Sequence, residues 1–224
     1  MYKIETHLHV SEVSPCAKLS ADEMIRLYAG AGYNAVFVSD HCSKKYFEQL
    51  GDMSWTEKTK RFFSGYDAAK AAGERYGIMV LPAAELAFEK SSNHYLVYGI
   101  KKEFMDSHPD FLDHGIEGFY PLARSCGMLV MQAHPYRDGA CFPTPDFIDG
   151  VEVYNTNPRH EDHSSRTERL AQEHRMLISA GSDAHRIEDV GLSGVISEQP
   201  VTSADDFIAL IRSGSVQIIR EVTA

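Results

Sequence analysis

The sequence predicts an α/β domain built around a parallel sheet, and three observations support this fold class. Apolar runs of strand length alternate with longer segments of helical character, which is the pattern of repeated βα units. Several runs end in His, Asp or Glu, at the position where parallel strands present their functional side chains. The chain has 224 residues, of which 43% are hydrophobic, and this suits one compact domain spanning 1–224, of the size that α/β barrels often have.

Eight apolar runs account for the predicted strands. They lie at about 2–8, 34–39, 78–84, 94–100, 128–133, 150–154, 176–180 and 193–196. Because strands that alternate with helices usually pair in parallel, we expect one parallel sheet.

Capping signals predict four helices. Ser20, with Glu23 three residues later, forms a capping box, and Gly30 and Gly32 end that helix. The other helices are predicted over 56–76, where Gly77 stops the helix, over 164–174, and from a cap at Ser203 to about Ser213.

Composition argues against several classes of function. The formal net charge of -10 disfavours a broad surface for a phosphate backbone, so long nucleic acid is not an expected ligand. No apolar run approaches the ~20 residues of a membrane span, and the first residues lack a signal-peptide pattern. Four cysteines without a Cys-x-x-Cys pair fit free thiols in a reducing compartment, so we expect a cytoplasmic location. They are Cys16, Cys42, Cys126 and Cys141.

The most informative motif lies in the stretch 3–9, where His7 and His9 are two residues apart. In an extended strand, side chains at this spacing project on the same side and can bind one metal ion. Two histidines on a strand can also be half-buried polar residues. The metal hypothesis therefore depends on what the other strand ends contribute.

Two further runs end in ligand-type residues. His41 follows the run 34–39 and is a candidate ligand, and the preceding Asp40 would orient a ligand histidine or bind the metal itself. The ordinary alternative for Asp40 is a helix N-cap. Glu85 follows the run 78–84, where a charge is costly to bury unless it meets a cation or hydrogen-bond donors. We expect Glu85 to bridge two cations, with a helix-start residue as the alternative.

Four more candidate ligands belong to later strands. His94 opens its strand instead of closing it, and His134 precedes Pro135, which forces a turn and leaves the histidine at the rim. Asp183 and His185 repeat the spacing of the first motif beyond another strand. Together these residues predict one shared cleft.

The donor types indicate the cofactor. Imidazole and carboxylate donors without thiolate are typical of Zn, Mn or Fe(II), and more than four candidates predict two or three divalent ions. Arg137 and Arg186 directly follow ligand segments and are candidates for binding phosphate oxygens, unless they are solvated loop charges. Glycine-rich nucleotide loops and a Gly-x-Ser-x-Gly elbow are absent from the sequence, which disfavours nucleotide-loop and covalent serine chemistry.

The ordered series of these motifs resembles the PHP family, named for polymerase and histidinol phosphatase, over nearly the whole chain. The resemblance implies a distorted (β/α)7 barrel, similar to a TIM barrel, with a two- or three-metal centre that in most members hydrolyses phosphoesters. It also implies how the ligands divide. His7, His9, Glu85 and Asp183 would surround a first metal, Glu85 with His94 and His134 a second, and His41 with His185 a third.

One departure from the family pattern follows His9. Many relatives carry Ser-Asp-Gly or a further histidine there, whereas residues 10–16 of this chain read Val-Ser-Glu-Val-Ser-Pro-Cys. A third metal would then be weaker, absent, or completed by Glu12 or Cys16. Each of these two residues is otherwise an ordinary loop residue.

Two features bear on substrate selection. The segment from Cys42 to Trp55 is long for a βα loop, so we expect it either to cover the cleft or to form a surface excursion that packs its aromatic residues. Asn155 falls at a strand end, where a substrate contact and a turn residue are equally expected.

These observations together predict a metal-dependent phosphoesterase that hydrolyses phosphate esters of a small metabolite or short nucleotide through metal-activated hydroxide. Asp183, His185 or a metal-bound water would protonate the leaving oxygen. Two alternatives stay open: a non-catalytic or regulatory metal-binding module, and an amidohydrolase-like enzyme that cleaves C–N or C–O bonds. The latter class also begins with His-x-His, but it commonly bridges its metals with a modified lysine, where this chain has Glu85.

Overall fold

The computed structural model describes residues 1–161 and 163–220, and within them ten strands alternate with seven α-helices. The strands are β1 (Tyr2–Leu8), β2 (Ala35–Val38), β3 (His41–Ser43), β4 (Met79–Ala87), β5 (His94–Tyr98), β6 (Leu129–Gln132), β7 (Gly150–Asn155), β8 (Leu177–Gly181), β9 (Gly194–Ser197) and β10 (Gln217–Ile219). The helices are α1 (Ala21–Gly30), α2 (Lys44–Gln49), α3 (Trp55–Tyr76), α4 (Lys102–Ser107), α5 (Gly115–Ser125), α6 (Ser164–His174) and α7 (Ala204–Ser213).

The strands form one sheet that curves into a nearly closed barrel. Its order is β10-β9-β1-β2-β4-β5-β6-β7-β8, and β3 adds to β4. The β8 end of this path comes back to β1, where Leu8 and Ala184, just after β8, form a parallel bridge. The hydroxyl of Thr6 also donates to the carbonyl of Ala180 at 2.7 Å. The predicted α/β barrel class is confirmed.

The expectation of a fully parallel sheet was wrong in two places. β5 runs antiparallel to β4 and to β6, and β9 runs antiparallel to β1. The connection between Ala87 and His94 contains no helix, and a parallel pairing needs a crossover of about a dozen residues or more. A short connection therefore returns β5 alongside β4 in the opposite direction.

The segment 42–55 does not cover the cleft. It forms part of β3 and the short helix α2, and its Phe47 is buried with the rings of Phe62 and Trp55 at 6.1 and 4.7 Å. The indole N–H of Trp55 donates to the carbonyl of Met105. The aromatic residues of this segment thus extend the hydrophobic core, which is the second of the two expectations.

The predicted helix signals are present in the structure. Ser20 and Glu23 form the capping box of α1, and Gly77 ends α3 in the left-handed conformation with φ 72°. Apolar faces of α1 and α3 pack against strand residues such as Val36 and Val80. β3, β10, α2 and α4 were not predicted, because each is short, and α5 was not predicted, because Pro121 lies inside it and interrupts a helical pattern.

Two predictions from composition can be compared with the structure. All four cysteines are free thiols, as expected. Among the residues that the structure describes, no helix combines the length and the apolar character needed to span a bilayer.

Candidate metal centre

A cleft of about 470 Å³ opens at the end of the barrel where the candidate ligands lie. It is lined by six of the eight residues predicted as metal ligands: His41, Glu85, His94, His134, Asp183 and His185. The other two, His7 and His9, are fully buried directly behind them. The structure therefore brings together all eight side chains that the sequence singled out.

β1 delivers the two histidines by simple alternation. Glu5, His7 and His9 are each two residues apart, point to the barrel interior, and have no exposed surface. The Nε2 atoms of His7 and His9 lie 3.1 Å apart, so both nitrogens face one point. This is the arrangement that a shared cation requires.

Glu85 lies at the centre of the cluster. Its side chain is 1% exposed, and imidazole nitrogens of five histidines surround its two oxygens. The distances are 2.6 Å to His41 Nδ1, 2.9 Å to His94 Nδ1, 2.9 Å to His134 Nε2, 3.5 Å to His9 Nε2 and 3.6 Å to His7 Nε2. A carboxylate with this surrounding can bridge two cations.

Glu85 does not end its strand as expected. β4 continues to Ala87 and pairs Glu85 with His41 on one side and Leu96 on the other. The side chain is consequently held by strand backbone on both sides, which fixes it more firmly than a loop position would.

The antiparallel direction of β5 explains how His94 reaches the site. Its first residue, His94, pairs in register with Ala87, the last residue of β4. Because β5 is reversed, its N-terminal end lies at the edge where the parallel strands have their C-terminal ends. His94, at the start of its strand, therefore lies beside ligands at the ends of the parallel strands.

Asp183 and His185 enter from the loop after β8. Asp183 has a positive φ of 52°, and its Oδ1 lies 3.4 Å from His7 Nε2 and 3.2 Å from His9 Nε2. Nδ1 of His185 hydrogen-bonds the carbonyl oxygen of Asp183 at 2.8 Å, which leaves Nε2 available in the cleft. A strained backbone conformation is typical of functional sites.

The donor set fits divalent cations. Three groups of side chains have ligand atoms within 4.8 Å of one another: His9, His41 and His185; His7, His9 and Glu85; and His41, Glu85 and His94. The buried Nδ1 of His134 has no hydrogen-bond partner among the described residues, and Glu85 Oε2 contacts only imidazole nitrogens, at 2.6 Å to His41 Nδ1 and 3.5 Å to His9 Nε2. Buried polar atoms are normally satisfied, so a free ring nitrogen beside a carboxylate surrounded by imidazoles indicates a cation site.

The electrostatics of the carboxylates point the same way. Burial alone would raise the pKa of Glu85, but His94, His41 and His7 hold it well below its usual value. Burial likewise opposes charge on Asp183, whose pKa is held well below its usual value by His7 and His9. Both carboxylates are therefore ionised at neutral pH and attract cations.

The histidines divide into two types. Burial disfavours charge on His7, yet the carboxylates around it, Glu152 first, raise its pKa well above the usual value. Burial and the neighbouring imidazoles of His41 and His185 lower the pKa of His9 well below it. His9 is thus a neutral ligand over a wide pH range, while a cation must displace a proton from His7.

The sequence analysis did not predict most of the polar groups that lie behind the ligands. Oε1 of Glu152 lies 2.9 Å from His7 Nδ1, and its other oxygen accepts from the backbone N–H of His134 at 3.0 Å.

Ser14 donates to Asp40 at 2.7 Å, and the hydroxyl oxygen of Ser14 lies 3.4 Å from His9 Nδ1. Asp40 therefore supports His9 through Ser14, whereas the sequence suggested direct support of His41. A buried glutamate in the middle of β7 was the available signal for Glu152.

The three arginines of the cleft have different partners. Arg137 donates to Asp183 at 2.8 Å and to Asn155 at 2.7 Å, and Arg159 forms a bidentate pair with the buried Asp189. Arg186, predicted with Arg137 as a phosphate ligand, is half exposed, and among the residues that the structure describes its guanidinium has only a 3.8 Å contact with Glu188. Arg186 is therefore the least engaged guanidinium of the three. Arg159 was not singled out from the sequence.

The region after His9 distinguishes the two residues proposed to complete a third site. Both carboxylate oxygens of Glu12 accept from the backbone N–H of Ala21 at 3.0 Å, so Glu12 caps α1. Cys16 instead lines the cleft. Burial opposes charge on its thiol, but hydrogen bonds with His185 and His41 lower its pKa to about 6.

Among the remaining histidines only His160 lines the described part of the cleft, where its Nδ1 lies 3.3 Å from Asp138. Asn155 contacts Arg137 and Glu152, so its side chain supports the site from within the protein.

Comparison with known proteins identifies similar folds. Residues 162–216 match a family model described as PHP-associated. A two-domain protein from Bacteroides vulgatus, containing a predicted PHP-like metal-dependent phosphoesterase, superposes on 98% of the chain with a TM-score of 0.71 and 13% identity. This chain spans 65% of that protein.

Two further solved structures match this chain over nearly the whole length of both proteins. A proposed metal-dependent phosphoesterase from Bifidobacterium adolescentis matches 96% of this chain and 97% of its own, with a TM-score of 0.60 and 16% identity. An amidohydrolase from Chromobacterium violaceum, solved with sulfate and no metal, matches 99% of this chain and 100% of its own, with a TM-score of 0.59 and 16% identity. At these identities the likeness concerns the fold. None of the curated proteins matches the chain in sequence.

Proposed function

We propose that this chain is a metal-dependent phosphoesterase of the PHP family, which the PHP-associated match over residues 162–216 and the fold shared with PHP-like phosphoesterases support. Its substrate is a phosphate ester of a small metabolite or short nucleotide, and its cofactors are two or three divalent ions of Zn, Mn or Fe. The observation that carries this proposal is the buried Glu85 carboxylate with five imidazoles around it in one cleft.

The eight clustered side chains would hold the ions. When bound, the ions supply Lewis acidity, a water of lowered pKa and stabilisation of charge at phosphorus. The chain itself orients the ligands: Glu152 fixes the ring of His7, and Ser14 with Asp40 supports His9. Such supporting contacts are typical of metal-binding histidines.

The cleft suits a small anionic substrate. Its volume of about 470 Å³ lies in the range of sites for small molecules. Arg186, with its weak contact to Glu188, is the guanidinium most free to bind phosphate oxygens, while Arg137 is held by Asp183 and Asn155.

Proton transfer to the leaving oxygen is assigned to one of the chain's own residues. Asp183 is ionised and engaged with His7, His9 and Arg137, so it serves better as a ligand than as an acid. His185 has a raised pKa despite its burial, because Cys16 and Asp183 favour its charged form. When its Nε2 does not hold a cation, His185 is the better proton donor.

The test combines metal content with turnover. Protein purified without chelator should contain more than one equivalent of metal, and protein loaded with Mn or Zn should hydrolyse members of a phosphomonoester and phosphodiester panel. His9→Ala removes an imidazole shared by two of the ligand groups and should abolish turnover and lower the metal content. His174→Ala, which changes an exposed histidine of α6, should alter neither.

The outcomes also separate the alternatives. Full metal occupancy without turnover of any ester would contradict the phosphoesterase and favour a non-catalytic metal-binding module. The similarity to an amidohydrolase keeps C–N and C–O hydrolysis as a second candidate, so the panel includes amides and lactones. No lysine lines the cleft among the described residues, so the modified lysine that commonly bridges the metals of amidohydrolases has no counterpart here. Glu85 occupies the central position instead, which favours a phosphate ester as the substrate.

A further inference from the structure

Arg159 lines the cleft, but a buried carboxylate already balances its charge. Nη1 and Nη2 of Arg159 donate to the two oxygens of Asp189 at 2.8 and 2.7 Å, and the Asp189 side chain has no exposed surface. A buried charge is retained only when it is paired and hydrogen-bonded. The guanidinium of Arg159 therefore compensates Asp189, whereas the half-exposed guanidinium of Arg186 lies 3.8 Å from Glu188.

Asp189 also holds the backbone of the loop after β8. Its Oδ2 accepts from the backbone N–H groups of His185 and Arg186, each at 2.9 Å. The N–H of Asp189 in turn donates to the carbonyl of Arg186 at 3.1 Å. These two neighbours carry the side chains to which the proposed function gives proton transfer and phosphate binding. One carboxylate thus fixes the backbone of both.

The segment after β7 contacts this loop at a second point. Nδ2 of Asn157 donates to the carbonyl oxygen and to Oδ2 of Asp183, both at 3.3 Å. The N–H of Arg159 donates to Oδ1 of Asn157 at 3.2 Å, which ties the two side chains together. Residues 157 and 159 therefore brace the loop after β8 at its start and at its end.

We propose that Arg159 is a positioning residue that acts through Asp189 and does not bind the substrate phosphate. Through this pair it sets the backbone position of His185 and Arg186, and hence where their side chains lie in the cleft. The inference rests on the proposed function and adds to it a residue outside the ligand set. Loss of the guanidinium would leave Asp189 buried and uncompensated, and the carboxylate and the loop bonded to it would then shift.

Steady-state kinetics separate a positioning role from a phosphate contact. Arg159→Lys keeps the positive charge but cannot bond both oxygens of Asp189 in the fork geometry of a guanidinium. We expect kcat to fall about 10- to 100-fold and KM to rise with it, because the proton donor and the phosphate ligand move together. A phosphate contact would raise KM with a smaller change in kcat. Arg212→Lys, exposed on α7, should change neither.

A double-mutant cycle tests whether Arg159 acts through Asp189. Asp189→Asn should reproduce the loss of kcat seen in Arg159→Lys, because it removes the partner. Adding Arg159→Lys to Asp189→Asn should then change kcat and KM by less than about twofold, since residues that act as a unit are not additive. An arginine that contacts the substrate would keep its full effect in that background.

Hydrogen exchange tests the same link without metal or turnover. In chelator-treated protein at constant pH, Arg159→Lys and Asp189→Asn should each speed exchange of the amides of His185 and Arg186 at least about tenfold, because these amides lose the fixed acceptor. The amide of Val80 in β4 should keep its wild-type rate, which shows that the barrel stays folded.

The proposal is overturned if neither variant speeds exchange of the two amides, or if Arg159→Lys keeps its full kinetic effect in the Asp189→Asn background. Failure of the proposed function is distinguishable from both results. If wild type hydrolyses no ester, the phosphoesterase is contradicted, and hydrogen exchange alone decides whether Arg159 positions the loop.

Discussion

The buried carboxylate of Glu152 lies 2.9 Å from Nδ1 of His7, and these two residues are 145 positions apart in the chain. The contact fixes the tautomer and the direction of the His7 ring, so that Nε2 faces His9. Glu152 also accepts from the backbone of His134. One carboxylate in β7 thus contacts a ligand of β1 and the backbone of a ligand in the loop after β6.

Replacing Glu152 by glutamine should weaken the centre without removing a ligand. Glu152→Gln keeps the shape of the side chain but loses the charge that favours the correct His7 tautomer, so metal affinity should fall about 10- to 100-fold. Isothermal titration with zinc measures the change. Glu173→Gln on the exposed face of α6 is the control, and equal affinity in both variants would show that Glu152 has no orienting role.

A methyl group at Gly181 should disturb the same contact. A Cβ there would lie 2.5 Å from His7 Cβ and 2.9 Å from Glu152 Oε1, so the neighbours must shift. We expect Gly181→Ala to reduce the free energy of unfolding by about 1–3 kcal/mol and to lower metal content. Denaturant unfolding and metal analysis measure both effects.

The matched control for this glycine is Gly30→Ala. No atom lies within 4 Å of a Cβ at Gly30, and its φ is not positive, so alanine should be neutral or slightly stabilising there. If Gly181→Ala and Gly30→Ala have the same free energy of unfolding and the same metal content, the prediction is wrong, because the residues around His7 then accommodate the methyl group without loss of stability.

The stability of the chelator-treated protein should depend on pH through Glu5. Burial raises the pKa of Glu5 from 4.5 to about 7, despite hydrogen bonds from Ser182, His7 and Tyr28. The folded state therefore holds this proton more tightly than the unfolded state, and stability due to Glu5 falls as pH rises from about 4.5 to about 7.

Glu5→Gln removes that titration, and the hydroxyls of Tyr28 and Ser182 can turn to accept from the amide. Relative to wild type, Glu5→Gln should gain up to roughly 3 kcal/mol between pH 5 and pH 8. Denaturation in chelator at both pH values measures this difference. Glu74→Gln gives the background for an exposed glutamate of α3, and an equal pH response in both variants would exclude Glu5 as the source.

Substrate binding should depend on Arg186. Its guanidinium is half exposed and, within residues 1–161 and 163–220, has only a 3.8 Å contact with Glu188, so it can form a charge-assisted hydrogen bond to a phosphate oxygen. We expect Arg186→Ala to raise KM about 10-fold or more with a smaller change in kcat. Steady-state kinetics at two salt concentrations measure the effect. Arg212→Ala on α7 should leave KM unchanged, and a matching KM in the two variants would remove Arg186 from the site.

Local sequence determined the parts of this protein that depend on residue type and short-range spacing. Alternation along β1 places His7 and His9 on one side, the Ser20 and Glu23 pair begins α1, and Gly77 ends α3. These features follow from backbone geometry within a few residues, and so they are readable without knowing what packs where.

Tertiary structure decided which groups meet. The reversal of β5 brings His94 to Glu85, the end of β8 brings Asp183 to His7, and the turn after β1 brings Cys16 to His41 and His185. Strand direction and long-range contacts depend on connection length and on how the whole core packs, and no local pattern encodes them. The supporting role of Glu152 could not be predicted, because its contact with His7 forms only when the barrel closes.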